Sequence, residues 1–100
     1  MDNLAVAYTI YPTVVDIDAV KLLIDSGADV NKGNMHGETP LYIASRDGHY
    51  DVVQLLVDAG ADVDNADQNG TTPLYAALAM EHLPVVKLLI ASGAMEGIIF

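Results

Sequence analysis

The chain has no cysteine, and only four of its 100 residues are lysine or arginine. Without cysteine, disulfides and thiolate metal sites are excluded, and with them a disulfide-stapled secreted scaffold. Lys21, Lys32, Arg46 and Lys87 stand against fourteen acidic side chains, for a net charge of -10. Nucleic-acid binding requires phosphate-neutralising Lys and Arg, so neither DNA nor RNA is expected as a partner. No apolar run reaches the roughly 20 residues of a membrane helix, and no membrane contact is expected. Leu4 to Val15 is apolar but short, follows Asp2 and lacks a basic leader, so it does not read as a signal peptide. The expected location is intracellular and cytoplasmic. The acidity serves solubility, or steers a partner with a basic surface.

What is present is a period. Gly37-Glu-Thr-Pro-Leu-Tyr-Ile-Ala44 returns 33 residues later as Gly70-Thr-Thr-Pro-Leu-Tyr-Ala-Ala77, and Gly27, Gly60 and Gly93 keep the same interval. Thirteen positions are identical in register between Gly37/Gly70 and Ala61/Ala94. A fixed repeat of this length means a stack of small units, each able to bury its apolar face only against a neighbour. With 52% hydrophobic residues the chain has the material for such a core.

Residues 34–66 define one unit. Thr39 can cap a helix, and Pro40 fits the first helical position, where its missing N–H costs nothing. A short helix is expected over about Leu41 to Asp47, a turn at Gly48-His49, and a second helix over about Asp51 to Ala59. In that helix Val52, Val53, Leu55, Leu56 and Val57 cover more than one narrow stripe, as contact with several neighbours requires. Gly60 stands where a left-handed C-cap residue belongs. Ala61 to Asp64 leads out extended, and Asn69-Gly70 signals a tight turn. The fold class is therefore an all-α repeat solenoid of stacked helix-turn-helix units, joined by projecting β-hairpin-like turns. It forms one domain over 1–100, with units at about 1–33, 34–66 and 67–97 and a short apolar tail, 98–100.

Thr39-Pro-Leu-Tyr-Ile-Ala44, Gly48-His-Tyr-Asp-Val-Val53 and Leu55-Leu-Val-Asp-Ala-Gly-Ala-Asp-Val63 resemble the ankyrin repeat. The second unit matches closely and the third clearly. The first is degenerate and matches only from Asp18 to Asn31. The resemblance implies a non-catalytic scaffold that binds another protein through a concave strip of turn tips and first helices. Carried over by position, that strip is Met35, His36, Glu38, Arg46 and Asp47 in the second unit. In the third it is Gln68, Asn69, Thr71, Ala79 and Met80. Met35 and Met80 would be adaptable apolar contacts, and Arg46 would pair with a partner carboxylate or with Asp47 or Asp51 on its own surface.

Three departures from the family pattern carry expectations. Tyr42 and Tyr75 replace a histidine that bonds neighbouring turn backbone, and a phenol cannot make both of those bonds. Glu81 replaces a glycine between the helices of the third unit. If that position needs positive φ, Glu81 is strained by about 1 kcal/mol or more. The ends, Leu4 to Pro12 and Ile98-Ile99-Phe100, lack the polar outer faces that terminal repeats need. They suggest a tail that folds back, self-association of the chain through uncapped ends, or excision from a longer array.

Nothing points to catalysis. His49 and His82 hold equivalent turn positions, and His36 sits on a projecting turn, where contact is a better reading than general-base chemistry. No nucleophile elbow, zinc-helix motif or phosphate loop occurs. Asp62 to Gly70 fails the ligand spacing of a calcium loop, so no metal or cofactor is expected. Besides the interaction module, two readings remain: a structural segment of a longer ankyrin-repeat protein, and the repeat domain of an enzyme whose catalytic domain lies elsewhere.

Overall fold

A computed structural model of the chain describes residues 16–94. Five helices occur among them: α1 (Ile17–Asp25), α2 (Pro40–Asp47), α3 (Tyr50–Asp58), α4 (Pro73–Ala79) and α5 (Leu83–Ala91). Both apolar end segments, Leu4 to Pro12 and Ile98 to Phe100, lie outside the described residues.

Local chemistry starts the first helices, α2 and α4, as the sequence suggests. The Thr39 hydroxyl accepts the Tyr42 N–H at 3.1 Å, and the Thr72 hydroxyl accepts the Tyr75 N–H at 3.2 Å. Proline follows each cap, where no donor is lost. Asp16 caps α1 by accepting from the N–H groups of Asp18 and Ala19 at 3.1 and 3.2 Å. Pro84 falls in the first turn of α5, and the helix continues unbroken to Ala91. Gly27, Gly60 and Gly93, just past the second helices, share φ values of 92°, 91° and 98°.

The helices form two layers. α2 and α4, the first helices of their units, pack side by side; α1, α3 and α5, the second helices, follow one another behind them. The buried residues repeat with the period: Leu41 and Leu74, Ala44 and Ala77, Val52 and Val85, Leu56 and Leu89, with Val20, Val53 and Val86 running through all three units. They make one continuous core. Burying a side chain such as Leu56 contributes about 2 kcal/mol. The first helices are the more deeply enclosed: Pro40, Leu41, Tyr42, Ala44 and Ser45 are buried in α2, against Val52, Val53 and Leu56 in α3. The difference is geometric, since a first helix meets its own second helix and the next first helix, while a second helix keeps one side toward solvent.

One close approach behind the turns locks the second unit to the third. Gly48 has φ 77°, and a Cβ on it would lie 2.6 Å from the His82 ring. The imidazole therefore rests directly on the Gly48 backbone, which gives His82 the structural role its turn position suggested. Glu81 takes the corresponding place in the third unit at φ 60°, the one non-glycine residue with positive φ among the described residues. The conditional expectation of strain is met.

Candidate functional site

The strip begins at two turn tips built alike. In the second unit the Asn34 side-chain oxygen accepts the N–H groups of His36 and Glu38 at 2.9 and 3.0 Å, and its amide donates to the Glu38 carboxylate at 3.1 Å. In the third unit the Asp67 carboxylate accepts from Asn69 and Thr71 at 2.8 and 3.0 Å. Asn and Asp suit this position because a short side-chain acceptor mimics a backbone turn. Each tip is also closed by one backbone bond, the Asn34 N–H donating to the Glu38 carbonyl and the Asp67 N–H to the Thr71 carbonyl. Adjacent tips are then joined by the Gln68 N–H donating to the His36 carbonyl at 3.0 Å. A Cβ at Gly37 would sit 2.9 Å from the Gln68 nitrogen, so this approach requires glycine there.

On that frame Met35, His36, Gln68 and Asn69 all face solvent, and Met35 is 85% exposed. Glu38 and Thr71 are partly covered because they complete the turns. Asp47 is exposed at the end of α2, and Ala79 and Met80 are exposed at the end of α4. α4 runs seven residues from the turn side to Ala79, about 10 Å, so Met35 and Met80 mark opposite margins of the strip.

Arg46 is not an unengaged cation. Its Nε donates to Asp47 at 3.0 Å and its guanidinium lies 3.6 Å from Glu38. The hydrogen bond to Asp47 raises its pKa above the ordinary arginine value against the effect of burial, with both carboxylates adding to the shift. The three side chains form one paired cluster, so the strip presents little unbalanced charge.

Tyr42 supplies what the family position was expected to lack. Its side chain is buried, and its hydroxyl interacts with the Asp67 carboxylate of the next unit. The longer phenol thus reaches a side chain where the family's histidine meets backbone. Burial pushes the Tyr42 hydroxyl pKa up, and the neighbouring Asp67 carboxylate pushes it further. Asp67 is held below the ordinary carboxylate range, first by the Thr71 N–H and also by Asn69 and Tyr42. The equivalent Tyr75 is 54% exposed, against 7% for Tyr42, and its hydroxyl forms no hydrogen bond among the described residues. This joint was not anticipated, although Asn34 and Asp67 recur at the repeat interval ahead of turn glycines. No group of three or more metal-ligating side chains converges among the described residues.

A two-layer stack of helix pairs with projecting turns, repeating its core every unit, defines an ankyrin-type solenoid. A model of ankyrin repeats in three copies matches residues 10–97, and the chain belongs to that family. A stretch of 36 residues is 53% identical to the potassium channel AKT1 of Arabidopsis thaliana. The match takes in 36% of this chain and 4% of the channel, so it concerns a small part of that protein. Ankyrin repeats are generally protein-interaction modules and typically non-catalytic.

Proposed function

We propose that these residues form a non-catalytic module that binds another protein through the strip of turn tips and first helices. The observation that carries the reading is the construction of the tips. Met35, His36, Gln68 and Asn69 are exposed, yet their backbone is fixed by Asn34, Asp67 and the bond between tips. A rigid, exposed, chemically mixed edge loses little conformational entropy on binding. Because Arg46 is already paired, apolar contacts from Met35 and Met80 supply most of the affinity, and the paired cluster orients the partner. The test is capture from an extract of the source organism by the chain and by a folded Met35→Ala, Arg46→Ala, Met80→Ala variant. A saturable partner retained by the chain and lost with the variant supports the strip. A partner that both retain equally, or none at all, sinks the reading.

A further inference from the structure

A second surface lies on the layer of second helices. Ile17, Tyr50 and Leu83 are the first residues of α1, α3 and α5, one repeat apart, and are 40%, 43% and 57% exposed. A single exposed apolar side chain needs no explanation. Three at one repeat position form a row, and the row is grooved. A cavity of about 230 Å³ is lined by Ile17 and Tyr50 with His49, Asp51 and Val52. Another of about 520 Å³ lies beside Tyr50, lined by Pro84, Lys87, Leu88 and Ala91. Tyr50 borders both, and none of these residues belongs to the strip of turn tips.

The charge around the row selects its occupant. Asp16 and Asp18 flank Ile17, Asp51 adjoins Tyr50, and Glu81 precedes Leu83 by two residues; all four are exposed. Each helix N-terminus offers roughly half a positive charge, so four carboxylates outweigh three helix ends. Lys21 and Lys87, each four residues beyond Ile17 and Leu83, are exposed cations on this layer, against the six exposed carboxylates of Asp16, Asp18, Asp25, Asp51, Asp58 and Glu81. A second copy of this chain would bring its own net charge of -10 against that edge, and an anionic lipid surface would be repelled in the same way. We propose that the row docks a cationic amphipathic helix of a partner protein. Packed helices lie about 8–10 Å apart, and residues i and i+7 of a helix are about 10.5 Å apart along its axis. A helix lying along the row can therefore place successive apolar side chains on either side of Tyr50, with Lys or Arg toward Asp16, Asp18 and Asp51. The surface is independent of the strip and stands or falls separately from it.

The test titrates the isotope-labelled chain with a Leu/Lys peptide whose leucines fall at i, i+3, i+4 and i+7, following amide shifts by NMR. A Leu/Glu peptide of the same pattern and a scrambled Leu/Lys peptide serve as controls. Saturable shifts confined to Ile17, Tyr50 to Val52 and Lys87 to Ala91 are expected, weakening as salt is added. Tyr50→Ala should weaken binding at least tenfold. Asp51→Lys, an exposed change that leaves the core untouched, should weaken it several-fold. Met35→Ala with Met80→Ala should leave it unchanged. The proposal is overturned by shifts centred on the turn tips, by equal binding of either control peptide, by Tyr50→Ala and Asp51→Lys binding as the parent does, or by no shifts at all. Concentration-dependent shifts along the row without peptide would overturn it in favour of a second copy.

Discussion

Tyr42 and Tyr75 offer one substitution at two equivalent places with opposite surroundings. Tyr42→Phe removes a buried hydroxyl that interacts with the Asp67 carboxylate across the junction between units; Tyr75→Phe removes one that stands in solvent. Hydrogen bonds to charged groups contribute about 1.5–3 kcal/mol. Asp67 keeps two backbone donors and remains accessible to water, so the loss lies below that range, at about 1 kcal/mol. Tyr75→Phe should change stability by less than about 0.5 kcal/mol. For a chain of this size, about 1 kcal/mol lowers the melting midpoint by roughly 4–8 °C. Urea and thermal unfolding followed by circular dichroism measure both variants. Alkaline pH adds a second readout. Because the folded-state pKa of Tyr42 is raised above 10.0, its stabilisation is complete below that value and is lost as pH rises through the folded one. Tyr42→Phe should flatten this part of the alkaline decline, and Tyr75→Phe should not. Equal effects at the two positions, or an unchanged alkaline limb in Tyr42→Phe, would refute the inter-unit interaction.

Substitutions at four further positions can be measured in the same unfolding assays. Gly48→Ala places a Cβ against the His82 ring at φ 77° and should destabilise by more than the about 1 kcal/mol of left-handed backbone alone, whereas Glu81→Gly, at φ 60°, should stabilise by about 0.5–1 kcal/mol. Ser45 is fully buried and its hydroxyl has no hydrogen-bond partner among the described residues, so Ser45→Ala should be neutral or stabilising by up to about 1 kcal/mol, and a clear loss would reveal a partner. Asp67 has its pKa lowered from 3.8, so its contribution is present above that value and is lost as pH falls through the lower folded one. Asp67→Asn, which reproduces the acceptor Asn34 already provides, should hold the tip at neutral pH and reduce the acid-range slope, while Asp67→Ala should destabilise at both.

The period, the capped helix starts at Thr39 and Thr72 and the positive φ at Gly60 were legible because each depends on neighbours within a few residues. So was the exposure of Met35, His36, Gln68 and Asn69, since turn tips project wherever the units stack. Contacts between units were not legible. Tyr42 reaching Asp67, and the His82 ring lying on Gly48, depend on how one unit is offset against the next. The capture of Arg46 by Glu38 and Asp47 was half visible: Asp47 is its sequence neighbour, but Glu38 comes near only once the turn and α2 have folded. The row of Ile17, Tyr50 and Leu83 was overlooked because an apolar first residue reads as core until the neighbouring helix is seen to leave it open.

The glycine beneath His82 bears on how such an array can lengthen. His82 is seated because the preceding unit leaves backbone bare at Gly48. A copy of the second unit inserted after itself meets that condition at once, because it brings its own glycine. A copy of the third unit does not: its histidine would descend on the side chain of Glu81. The two units are thus unequal as templates for duplication, and growth beyond the third in the same register would first have to restore glycine at position 81.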